Sequence, residues 1–135
     1  MRRELRGLEA LSVLDLSDNL LESIPTNGPK HLEALEELNL CKNDITIIAD
    51  RVKISSIISK LNIGGNMIHK IYEKAFIDAA ELKDLNIDNK KPHKVPSEAF
   101  QACQKLQALK IGQNQFDWID ENDFKNISRL KNPDV

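Results

Sequence analysis

His69, His93 and Asp117 follow one another at intervals of 24 residues, and Thr46 precedes His69 by 23. If the chain returns on itself at that interval, two imidazoles and a carboxylate, groups of the type that hold zinc, come side by side. Lys70 and Lys94 argue against such a use, because an ammonium directly after each histidine opposes a cation. No metal and no cofactor are therefore expected. Catalysis is not expected either: no nucleophile, base and orienting acid fall at useful spacing, and no glycine-rich phosphate loop is present. Cys41 and Cys103 are the only cysteines and stand 62 positions apart, with no Cys-x-x-Cys pair, so neither a zinc knuckle nor a disulfide scaffold is encoded.

The chain of 135 residues carries 19 Lys and Arg against 21 Asp and Glu, a formal charge of -2. That balance lacks the basic excess that nucleic acid or an anionic membrane favours, so neither is expected as a partner. Hydrophobic residues at 41% and charged ones at 30% suit a globular core, and with aromatics at 4% that core must be built from Leu and Ile. No window approaches the roughly 18 uninterrupted apolar residues of a spanning helix, and the basic start at Arg2-Arg3 has no apolar run after it. Direct membrane insertion by this segment is not expected.

The elements that position these side chains follow from a repeat. Residues 11–24 read LSVLDLSDNLLESI, 35–48 LEELNLCKNDITII, 58–71 ISKLNIGGNMIHKI, 82–95 LKDLNIDNKKPHKV and 106–119 LQALKIGQNQFDWI, with starts 24, 23, 24 and 24 apart. A partial sixth copy begins at Leu130 and places Pro133 and Val135 at its fourth and sixth positions. The fourth and sixth positions alternate as a short strand with one face inward, from Leu14 and Leu16 to Leu109 and Ile111. The ninth carries Asn19, Asn43, Asn66 and Asn114, amides able to donate to and accept from the backbone where the chain leaves the strand, which predicts a stacked ladder. The eleventh and fourteenth return apolar groups to the interior, and Phe76, Phe100 and Phe124 recur every 24 residues as a plug on the far side. The 23-residue copy has Lys53 in the plug column, so Val52, Ile54 and Ile57 are expected to fill its core. Lys90 and Pro92 break the fourth copy, where looser geometry is predicted, and Asn27-Gly28-Pro29 is expected to turn.

This pattern, LxxLxLxxNxI with Ala-Phe or Asp-Phe before the next Leu, resembles the leucine-rich repeat family. The copies around Ile68-His69-Lys70-Ile71 to Ala75-Phe76 and Val95 to Ala99-Phe100 look like its typical 24-residue subclass. The resemblance extends from Leu5 to Val135. It implies an α/β solenoid, a right-handed coil with a parallel β-sheet on the concave face and irregular or short helical convex segments. One domain over 1–135 is expected, with repeats starting near 11, 35, 58, 82 and 106 and a partial one from 130. The absence of caps suggests a piece of a larger protein.

In such a coil, the contact surface is the sheet face that no core covers. Its columns hold Val13, Glu37, Lys60, Asp84 and Ala108; Asp15, Asn39, Asn62, Asn86 and Lys110; and Ser17, Cys41, Gly64, Asp88 and Gly112. All three mix short polar groups and both charges without an aromatic anchor, which predicts either modest affinity or a binding centre in further repeats outside this chain. Asp15, Glu37, Asn39, Lys60, Asn62, Asp84, Asn86, Asp88 and Lys110 are the candidate contact residues, and Trp118 is a candidate anchor at the rim. Gly64 and Gly65 are expected to serve the bend after the strand. Cys103 shares an inward column with Ala79 and Ile127 and should be buried, whereas Cys41 lies on the open sheet as an exposed thiol, so the two cannot bond. Asn126-Ile127-Ser128 is a glycosylation sequon. The expected function is non-catalytic recognition of another protein, within a cell-surface or extracellular leucine-rich repeat protein. The alternative is a cytoplasmic scaffold or adaptor, or the recognition arm of an enzyme whose catalytic domain lies elsewhere.

Overall fold

The computed structural model describes residues 10–25, 33–52, 57–88, 97–110 and 132–134. Five three-residue strands, β1 (Val13–Asp15), β2 (Glu37–Asn39), β4 (Lys60–Asn62), β6 (Asp84–Asn86) and β7 (Ala108–Lys110), are joined by a sixth, β8 (Asn132–Asp134), in one sheet of that order. Every pair is parallel. Leu14 stands against Leu38, Leu38 against Leu61, Leu61 against Leu85, Leu85 against Leu109 and Leu109 against Pro133. The chain is therefore a solenoid whose turns are the sequence repeats.

The register follows from burial. A slip of one residue would turn the leucines out to the open face and the polar neighbours into the core. In the inner coils the inward positions are closed: Leu35, Leu40, Ile63, Leu82, Leu85 and Leu106 are fully buried. The first coil differs, since Leu11, Leu14, Leu16 and Leu21 are only partly buried, packed on the core from one side. On the far side Ala75, Phe76, Ala99 and Phe100 are buried, the last two of these in the 3-10 helix Ser97–Phe100, and the two phenyl rings stack at 5.9 Å with 11° between their planes.

Two features depart from expectation. The segment after the turn is not irregular in coils two and three: β3 (Ile47–Ile48) and β5 (Lys70–Ile71) form a second parallel pair. The backbone hydrogen bonds continue on both sides of it, from Met67 N–H to Ile45 C=O at 3.0 Å as far as Val52 N–H to Ala75 C=O at 2.9 Å. β-Branched Thr46, Ile47, Ile48, Ile68 and Ile71 suit that extended backbone. In addition, Ile57 does not fill the core of the 23-residue copy; it is exposed, while Val52 is buried. Ile54, Lys53, Lys90, Pro92, Phe124 and the Asn27-Gly28-Pro29 turn lie outside the described residues.

Cys103 is fully buried, with its thiol directed at the Phe76 carbonyl at 3.8 Å, and burial pushes it well above the ordinary thiol range, to about 12. A thiol held neutral in the native state ionises first in the unfolded chain. Its contribution to stability is thus present below the unfolded value of about 8.5 and lost as pH rises towards 12. Two results are expected. Iodoacetamide at pH 8 labels Cys41 and leaves Cys103 untouched until urea unfolds the chain. A Cys103→Ala variant loses less of its stability than the parent between about pH 9 and pH 12. Labelling of both thiols at equal rates in the native protein would contradict this burial.

Candidate functional site

The open face of the six-stranded sheet carries the contact residues expected from the repeat. Asp15, Lys60 and Lys110 are exposed; Glu37, Asn39, Asp84, Asn86, Asn62 and Asp88 are half-buried. Strand register brings all of them but Asp88 into two columns: Val13, Glu37, Lys60, Asp84 and Ala108 in one, Asp15, Asn39, Asn62, Asn86 and Lys110 in the other. Coils one to three border a shallow, open depression of about 310 Å³ lined by Val13, Asp15, Glu37, Asn39, Lys60 and Asn62. Val13 is the one large hydrophobic exposed on this face among the described residues.

The second column has a structural task that the repeat pattern does not reveal by itself. The Oδ1 atoms of Asp15, Asn39, Asn62 and Asn86 accept the backbone N–H two residues on, from Ser17, Cys41, Gly64 and Asp88, at 2.9, 3.0, 2.9 and 2.9 Å. These are Asx turns, in which a short acceptor side chain bends the chain out of its strand. The recurrence of Asp or Asn two residues before the turn was the available signal. At Asp15 the Ser17 hydroxyl and then its backbone N–H hold the carboxyl below the usual carboxylate range, so it stays an anion. In the first column Lys60 Nζ lies 3.8 Å from Glu37 Oε1, an exposed pair that contributes little stability.

The two glycines divide the roles expected of both. Gly65, with φ at 68°, makes the bend, in the place where Asp18 and Lys42 of the preceding coils take φ of 57°. Gly64 is buried and serves contact instead: a Cβ there would meet Asn86 Nδ2 and Oδ1 at 3.1 Å and Asn62 Oδ1 at 3.2 Å. The space a side chain would take on the sheet is thus occupied by the amide of the next coil. Cys41, expected to be exposed, is partly buried in the same column.

The ninth-position asparagines differ from one another. Asn66, 2% exposed, donates from Nδ2 to the carbonyls of Leu40, Ile63 and Gly64 at 3.0, 2.9 and 3.2 Å and accepts Ile45 N–H at 3.0 Å. Asn43 ties coil two to coil one in the same way, through Leu16 C=O and Leu21 N–H, both at 3.0 Å. Asn19 is exposed, and among the described residues its amide bonds the carbonyls of Leu16 and Ser17 in its own turn. Asn114, Trp118 and Asn126 lie outside the described residues, as do His93 and Asp117. Among the described residues no group of three His, Cys, Asp or Glu converges as for a metal, and no helix is long and apolar enough to cross a membrane.

On the far side an open groove of about 370 Å³ runs between coils three and four, lined by Glu73, Lys74, Ile77, Gln101 and Ala102.

A family model described as leucine rich repeat matches residues 9–68, and one described as a BspA type leucine rich repeat region of six copies matches residues 53–135. Tsukushi from Mus musculus is 29% identical over 125 residues, covering 93% of this chain and 34% of Tsukushi. Tsukushi from Rattus norvegicus is 29% identical over 112 residues, 83% of this chain and 32% of its own length. The chain thus spans about a third of the curated relatives it matches. Among solved structures, a chain of the Toll–Spatzle complex of Drosophila superposes with a TM-score of 0.87 at 19% identity, over 98% of this chain and 18% of that one. A chain of the TLR13–ssRNA13 complex does so with a TM-score of 0.65 at 19% identity, over 92% and 21%. At these identities the likeness concerns the fold.

Proposed function

Because this chain belongs to the leucine-rich repeat family, we propose that it is a non-catalytic protein-recognition module that binds through the open sheet face, within a cell-surface or extracellular protein. The observation that carries the reading is the register. Parallel rungs set short polar side chains in straight columns that no core covers, with the amides of the middle column oriented by their own turns. A rigid, pre-oriented polar surface favours recognition, because little ordering remains to be done on binding. Catalysis lacks comparable support: the face is shallow, and Lys60 and Glu37 on it form an exposed pair. The Ala-Phe and Asp-Phe pairs in the sequence, as in the typical subclass, support the extracellular setting. Of the two neighbours solved in complexes, one carries a protein name beside it and the other an RNA; the charge of -2 here favours a protein. Six strands between Val13 and Asp134 share one sheet, and we read 1–135 as one domain.

The test is a binding screen of the whole chain against purified extracellular domains, repeated with Val13→Arg and Asp84→Arg on the open face and Gln101→Arg in the far groove. A partner that is lost with the first two and kept with the third is the expected result. A partner sensitive only to Gln101→Arg would overturn the reading.

A further inference from the structure

Where the chain enters each strand, two columns of exposed or half-buried side chains line the flank of the solenoid, on either side of the buried Leu35, Ile58, Leu82 and Leu106. One column reads Ser12, Glu36, Ser59, Lys83 and Gln107, the other Ala10, Ala34, Ile57, Glu81 and Lys105. The backbone fixes their register. The carbonyls of Ser12, Glu36, Ser59 and Lys83 each accept two N–H groups of the next coil, at 2.8 to 3.1 Å. Glu36 and Lys83 are exposed, and among the described residues neither side chain has an ionic or hydrogen-bonding partner. They stand two rungs apart with Ser59 between them. Reversing the column about Ser59 exchanges Glu36 with Lys83 and Ser12 with Gln107. That is the symmetry of an isologous contact, in which a patch meets its own copy across a two-fold axis.

From this pattern we infer that the flank is a self-association surface, and that its occupant is a second copy of this chain, set with its coils in reverse order about a two-fold axis along coil three. Glu36 of each copy then meets Lys83 of the other, twice in the dimer. Ile57, 42% exposed, meets its counterpart on the axis and supplies an apolar centre to the contact. Ser59 does not hold the copies apart, since its short side chain donates back to the Glu36 carbonyl at 3.2 Å. Lys105 and Glu81 are paired at 2.7 Å within their own chain and face the small Ala10 and Ala34 of the other copy. Lys131 continues the column in the sequence, outside the described residues, and has no counterpart 24 positions before Ser12. The adjoining column of Glu37, Lys60 and Asp84 lacks the reversal symmetry and belongs to the open sheet, so the contact ends at the flank. The ten residues of the two columns are fewer than the roughly 20 to 30 a side of a stable complex, so the dimer is weak and sensitive to salt. It leaves the open sheet face of both copies uncovered, which gives one assembly two recognition surfaces.

Sedimentation velocity of the whole chain, with a reductant present to exclude bonds through Cys41, reads the association up to millimolar concentration. The parent is expected to approach a dimer, less so at high salt. Glu36→Lys and Lys83→Glu should each weaken the dimer about tenfold, because either change turns two exposed pairs into two contacts of like charge. An equimolar mixture of these two variants should regain the parent's association, since a dimer of one with the other again has opposite charges at both contacts. Ile57→Arg should abolish it, while Ile47→Arg in β3 leaves it unchanged, with circular dichroism melting to confirm the fold of each variant. A parent that stays monomeric would overturn the proposal, as would a dimer indifferent to both charge reversals or a mixture no better than either variant alone. Loss of the dimer with Ile47→Arg and not with Ile57→Arg would move the contact to the second sheet and overturn it too.

Discussion

Replacing Phe76 by alanine will destabilise the fold by about 3 to 5 kcal/mol, read as a lower urea midpoint with little change in slope. The ring is 1% exposed and stacks on Phe100 at 5.9 Å, and the Cys103 thiol points at the residue's carbonyl. Truncation therefore opens a cavity bounded by a second ring and a packed thiol, neither of which can collapse into it without leaving its own coil. Phe76→Leu, which keeps most of the volume, should lose less than half as much. A loss below about 1 kcal/mol for Phe76→Ala would show that the far side is not close-packed.

The second large effect is expected at Asn66. Asn66→Ala should cost about 2 to 3 kcal/mol, the penalty for leaving the Ile45 N–H and three carbonyls of two coils short of a buried partner. Asn19→Ala, at the equivalent place in the first coil, should cost less than about 1 kcal/mol, because the bonds its amide makes among the described residues are exposed ones to its own turn. Urea denaturation of both variants beside the parent measures the difference. Equal losses would mean that the bond to the neighbouring coil contributes nothing beyond the local turn. Asn66→Asp should be at least as damaging as Asn66→Ala, since a carboxylate set against those carbonyls has no proton to donate.

The contrast between these two asparagines shows how far a repeat pattern reaches. Both occupy the ninth position, and the pattern treats them as equals. The structure distinguishes them because Asn66, like Asn43, bonds the coil before its own, whereas the bonds shown for Asn19 stay in its own turn. The same limit applies to Leu14 and Leu38, identical in the pattern and unequal in burial. Likewise, Asp15, Asn39, Asn62 and Asn86 read as outward polar residues available to a partner. The Oδ1 of each is in fact committed to a turn.

The order of residues alone determined the period, and with it the solenoid, the inward leucines, the buried Phe76, Phe100 and Cys103, and the columns of the open face. A recurrence at 24 residues with period-two alternation inside it allows one way of hiding the apolar side chains, namely stacking each turn on the last. Tertiary structure decided which members of each column do the work. It paired β3 with β5 and left Ile57 outside. It laid the Asn86 amide over Gly64 and gave the bend to Gly65. These outcomes depend on contacts between residues about 24 apart in adjacent coils, where the shape of one side chain sets the space left for the next, and a one-dimensional pattern carries the positions of such neighbours without their fit.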